Sequence, residues 1–137
     1  MVGVVRRCEM KKIVLAVMMM VVVFGGEAGA WDKKDTTYEG LFLGTLTIDY
    51  LQTKKIVKSE DFHETNPILG RNPRQNTVDL YFLGCGVGHA AISYLLPNEY
   101  TVFGVKTNPR RLWQVVWIGV EASRAVYNYN IGVRVLF

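Results

Sequence analysis

Residues 78–96 read VDLYFLGCGVGHAAISYLL, the most apolar stretch of the chain after its first thirty residues. At about 1.5 Å per residue, a helix of this length approaches the ~30 Å hydrocarbon core of a bilayer. Asp79 stands at its edge, and His89 is the only histidine inside an apolar segment. The stretch reads as a membrane-spanning helix, and its neighbours are read against it. Polar loops flank it: Lys54–Asn76, punctuated by Pro67, Gly70 and Pro73, and Pro97–Pro109. Such clusters stop helices. Beyond the loops, Tyr38–Thr53 is apolar and ends in Asp49 and Gln52, and Arg110–Tyr129 is apolar with Glu121 and Arg124 inside it. Both are marginal as spans, because each is short or interrupted by charge. The expectation is an all-α fold: a signal peptide followed by a small bundle of about three transmembrane helices.

The N-terminus carries the export signature. Lys11-Lys12 precedes the apolar run Ile13–Phe24, and Ala28-Gly29-Ala30 offers a small-x-small cleavage site before Trp31. The expected division is a signal peptide over 1–30 and a single helical membrane domain over 31–137, with an uncleaved first helix as the alternative. Cys8 would leave with the signal. Cys85 would then be the lone cysteine, buried and inert in an apolar run, with no internal disulfide.

Composition limits what the chain does. Of its 137 residues 50% are apolar and 20% charged, with a net charge of +4. That leaves room for one domain. The basic residues are scattered and not interleaved with aromatics, which argues against a nucleic-acid partner. They read as charges flanking apolar segments. With the exported end outside, Lys54, Lys55 and Lys58 fall on the cytoplasmic side, as the positive-inside rule prefers. Arg110 and Arg111 then fall outside, against that rule.

Each expected helix carries two small residues four apart: Gly40 and Gly44, Gly84 and Gly88, Gly119 and Ser123. That spacing lets helix backbones approach closely in lipid. The run Leu83-Gly84-Cys85-Gly86-Val87-Gly88 looks like the first motif of S-adenosylmethionine-dependent methyltransferases. Those carry an acid two residues before the first glycine, where this chain has Phe82. Helix packing is the better reading, and no cofactor is expected.

Polar groups inside apolar segments are costly and need partners. Gln114, Glu121 and Asn128 recur every seven residues, so they share one helix face. Glu121 and Arg124 are spaced to pair. Asp49, Gln52, His89 and Glu121 are expected to form an internal polar cluster, with Glu64, Asn66 and Pro67 shaping a loop at its mouth. Asp49, Glu64, His89 and Glu121 are also the donors a carboxylate–histidine metal site would use. No catalytic residue is expected, since neither Ser93 nor Ser123 has a Gly-x-Ser-x-Gly context. The tail Ile131–Phe137 alternates partly, as barrel strands do. There are too few such runs for a barrel, and a short extended tail is expected.

The motifs Asp49-x-x-Gln52-Thr53 and Glu64-Thr65-Asn66-Pro67 resemble those of small uncharacterised bacterial and prophage-encoded multi-span membrane proteins. His89–Pro97, and Trp117–Ala122 with Asn128, look like the same group. The resemblance implies a multi-span protein of the bacterial cell membrane, expected in the inner membrane. It marks Asp49, Gln52, Glu64, Asn66, His89, Glu121 and Asn128 without assigning them an activity. The expected partners are the lipid bilayer and a second copy or another membrane protein. The expected role is structural or accessory. The alternatives are a membrane-embedded metal- or proton-binding site and a phage-type lysis accessory protein.

Overall fold

Asp32 starts the first helix through a reciprocal cap. Its Oδ1 accepts from the Asp35 amide at 2.7 Å, and its own amide donates to Asp35 Oδ2 at 3.1 Å. Two otherwise orphaned donors are thereby satisfied. The computed structural model describes residues 31–135; the expected signal peptide, with Cys8 and the cleavage site, lies outside the described residues, as do Leu136 and Phe137.

Helix α1 runs Lys33–Lys58, and Lys55 and Lys58 in its last turn complement the negative end of the helix dipole. Helix α2, Gln75–Leu95, ends at Leu96 just before Pro97, where a proline cannot continue the helical hydrogen bonding. Helix α3, Pro109–Asn130, has Pro109 in its first turn and Asn108 as its cap, with Asn108 Oδ1 accepting from the Arg111 amide at 2.8 Å. At its end Gly132 takes a left-handed φ of 97°. The Val133 amide reaches back to the Asn128 carbonyl at 2.9 Å, and that of Gly132 to Tyr129 at 3.1 Å. This pair of bonds closes the helix and turns the chain inward.

The described residues are thus mainly three helices, as expected of an all-α chain; α1 extends five residues beyond its apolar segment at each end, and α2 and α3 lie close to theirs. The Pro97–Pro109 segment differs from the plain loop expected. It holds an antiparallel hairpin of β1, Tyr100–Val102, and β2, Val105–Thr107. Phe103 and Gly104 make the turn at φ of 49° and 81°. Positive φ at both central residues suits the twist of a two-residue hairpin loop.

Helix α1 is central. It packs most extensively on α3, less so on α2, and α2 and α3 touch only lightly. The partner pairs show that α3 runs parallel to α1, while α2 runs antiparallel. Asp35 meets Arg110 and Asp49 meets Asn128 on α3. On α2, Glu39 meets His89 and Tyr50 meets Asp79. The apolar core is small: Phe42, Leu46, Leu69, Val78 and Phe82.

The small-residue pairs do not hold the helices together. A Cβ placed on Gly40, Gly44, Gly84, Gly88 or Gly119 would meet nothing within 4 Å. Gly86 is the helical glycine that faces a neighbour, with Leu43 and Leu46 side-chain carbons 3.5 and 3.6 Å from its would-be Cβ. The bundle closes instead through large and polar side chains. Gly84 to Gly88 lies in mid-helix and not after a strand, so the nucleotide-type reading of these glycines has no structural context.

Candidate functional site: a polar interior with two cavities

The buried positions of α1 are Asp35, Glu39, Phe42, Leu46, Asp49, Gln52, Thr53 and Ile56. They recur every three or four residues, as one helix face does. Most of them are polar. On α3 the buried positions are Arg110, Gln114 and Glu121, again on one face. The outward faces are apolar: Leu80 is 71% exposed, Leu83 64% and Leu112 66%, whereas Asp35, Arg110, Gln114 and Ser93 are at 0%.

Two groups of polar contacts result. The first lies where α1 and α3 begin. Arg110 Nη1 donates to Asp35 Oδ2 at 2.8 Å, and Arg110 Nε to the Leu96 carbonyl at 3.0 Å. Arg111 Nη2 donates to Asp35 Oδ1 at 3.2 Å. One turn further in, His89 Nδ1 lies 2.9 Å from Glu39 Oε1, and Gln114 Nε2 lies 3.4 Å from Glu39 Oε2. The His89 ring stacks on Phe42 and on Trp113, at centroid distances of 3.6 and 5.6 Å.

The second group lies toward the other end. Asn128 Nδ2 donates to Asp49 Oδ1 at 2.9 Å. Gln52 Nε2 donates to the carbonyls of Ala125 at 3.0 Å and Val133 at 3.2 Å, clamping the end of α3. A cavity of about 670 Å³ opens here, and its lining includes Asp49, Thr53, Glu64, Asn66, Arg124 and Asn128. The loop that reaches it is held by its own side chains. Glu64 Oε1 accepts from the Asn66 amide at 2.7 Å, Asn66 Oδ1 from the Ile68 amide at 2.9 Å, and Asn66 Nδ2 donates to the Tyr81 hydroxyl at 2.9 Å. Gly70, at φ of 79°, completes the turn, its amide 2.9 Å from the Asn66 carbonyl.

Asp49, Glu64, Asn66 and Asn128 therefore line one cavity. Gln52 serves backbone carbonyls behind it. Asp49 pairs with Asn128, where Glu121 or His89 was expected. His89 pairs with Glu39 on the opposite helix, because antiparallel packing sets it level with the first half of α1. Glu121 and His89 line a second, separate cavity of about 250 Å³ on the α2–α3 side. Arg124 lines the larger cavity and not the one at Glu121. Among the described residues, no three His, Cys, Asp or Glu side chains come together to hold a metal ion. The carboxylate–histidine set considered for a metal is thus split between the two cavities.

Asp35 and Glu39 are not among the residues the sequence marks, and Arg110 is marked there only as a flanking charge. The signal for the first two was available, since they continue the three-and-four spacing of Phe42, Leu46 and Asp49 upstream. No family model, no curated protein and no solved structure matches the chain.

Proposed function

We propose that the chain is a small integral membrane protein of the bacterial inner membrane, with a structural or accessory role. One observation carries this reading: the bundle buries Asp35, Glu39, Asp49, Gln52, Arg110, Gln114 and Glu121 and turns many of its leucines and valines outward, Leu80, Leu83, Leu112 and Val116 among them. In water such an arrangement exposes apolar area at roughly 25 cal/mol per Å². In lipid it is the favoured one, because an acid or amide must face a partner inside the bundle.

Among the described residues, Gln75–Leu95 is the helix long and apolar enough to cross a membrane by composition alone. Part of what lowers α1 and α3 on that measure is buried by the bundle, Asp35, Glu39 and Asp49 on one and Arg110 and Glu121 on the other, whereas Arg124 on α3 is exposed. Their lengths of 26 and 22 residues correspond to about 39 and 33 Å at the usual rise. These lengths support a three-span arrangement.

Alkaline carbonate extraction of membranes tests the reading. The protein is expected in the pellet and to need detergent for release. Recovery in the carbonate supernatant would overturn it.

A further inference from the structure

The smaller cavity is a slot bordered by Phe42, Tyr81, His89, Trp113, Trp117 and Glu121, in the region where α2 and α3 barely touch. Two of these side chains are more than nine-tenths buried and hold an unsatisfied polar atom. Glu121, 8% exposed, has no partner for Oε2, and His89, 4% exposed, has none for Nε2. Buried polar atoms of this kind are uncommon and call for an explanation. No lysine or arginine lines the slot. Its lining includes the aromatic rings of Phe42, Tyr81, Trp113 and Trp117, a ring type whose π faces attract cations, and Arg124, the cation acting on its one carboxyl group, lies outside the lining.

We propose that this slot binds a small primary alkylammonium group. Its N–H groups would donate to Glu121 Oε2, while the indoles of Trp113 and Trp117 and the ring of Tyr81 surround the charge. The His89 ring supports a donor as well. Nδ1 faces the Glu39 carboxylate, so in the neutral ring the proton sits there and Nε2 offers a lone pair. A quaternary ammonium has no N–H for either acceptor. The alkyl portion would lie against Ile68 and Ile92, which also line the slot. At about 250 Å³, the slot admits a short chain and not a drug-sized molecule. A free alkylamine and the aminoethyl end of a lipid headgroup share this chemistry.

Isothermal titration of butylammonium into the full chain in maltoside micelles tests the proposal. Saturable binding is expected, with 1-butanol at least about tenfold weaker. Glu121→Gln should weaken butylammonium by a similar factor. Gly84→Leu gives a second route, because it adds a side chain to the slot wall at a position with open space around the glycine. It should abolish binding while circular dichroism stays unchanged. Mixed micelles containing phosphatidylethanolamine separate the two sources. Competition assigns the site to a lipid headgroup and its absence to a soluble amine, and both support ammonium recognition. Absence of saturable heat, equal affinity for 1-butanol, or full binding by a folded Glu121→Gln or Gly84→Leu protein would overturn it.

Discussion

The Arg110 guanidinium lies 2.8 Å from the Asp35 carboxylate, and neither side chain is exposed at all. The same guanidinium donates to the Leu96 carbonyl at 3.0 Å, so one side chain joins the start of α1, the end of α2 and the first turn of α3. Arg111 shares Asp35 at 3.2 Å and lies 3.9 Å from Asp32. The two arginines that ran against the positive-inside expectation are therefore not free charges, because both carry acidic partners from α1.

Breaking this pair from one side should be costly. Arg110→Met leaves the fully buried Asp35 with Arg111 as its remaining cationic contact, and a loss of about 3 kcal/mol is expected. The double variant Arg110→Met with Asp35→Leu should recover part of it, since it removes the buried charge but also the Asp32 cap bond and the Arg111 contact. Thermal unfolding of the four proteins in detergent, arranged as a double-mutant cycle, checks this. A loss in the double variant equal to the sum of the two single losses would show that the two side chains act separately.

Gln52 is the corresponding fastening at the other end. Gln52→Leu keeps the size but removes both donations to the Ala125 and Val133 carbonyls, and should cost about 1–3 kcal/mol. Gly132→Ala should add a smaller loss of about 1 kcal/mol, because a side chain at its positive φ is strained. Both should increase hydrogen exchange over the last turn of α3 more than elsewhere.

Part of this organisation was legible in the chain. The seven-residue recurrence of Gln114, Glu121 and Asn128 named one face of α3, because helix periodicity is a local property. Asp49 and Gln52 were recognisable as polar groups that must find partners. The partners themselves were not legible. Asp35 with Arg110, Glu39 with His89 and Asp49 with Asn128 span 75, 50 and 79 residues, and the parallel α1–α3 register that creates two of these pairs is a tertiary choice. Arg110 looked like a flanking charge because it begins an apolar segment. The hairpin was hidden because its strands are three residues long and its turn is Phe-Gly, not the Asn-Gly that marks such turns.

Asn66 organises the loop against the larger cavity. Asn66→Ala removes its contacts with the Ile68 amide and the Tyr81 hydroxyl. Limited proteolysis should then cut between Glu60 and Arg74 several-fold faster, while helix content is retained. Tyr81→Phe should reproduce only part of that effect, since the Asn66–Ile68 bond survives.

Phe103 sits fully exposed at a φ of 49°, a backbone region that asparagine adopts more readily. Phe103→Asn should leave the melting temperature unchanged or slightly raised. A clear loss of stability would show that the phenyl ring has a packing role in the folded protein.

The central claim is that the leucine and valine faces of all three helices meet lipid while the acids and amides face inward. Nitroxide labels at position 83 on α2 and position 116 on α3, with a label at position 34 as the aqueous reference, test it most directly in a background with Cys8→Ser and Cys85→Ser. Collision with dissolved oxygen should dominate at positions 83 and 116, and collision with a nickel chelate should dominate at 34. Nickel access at 83 and 116 equal to that at 34 would contradict the account.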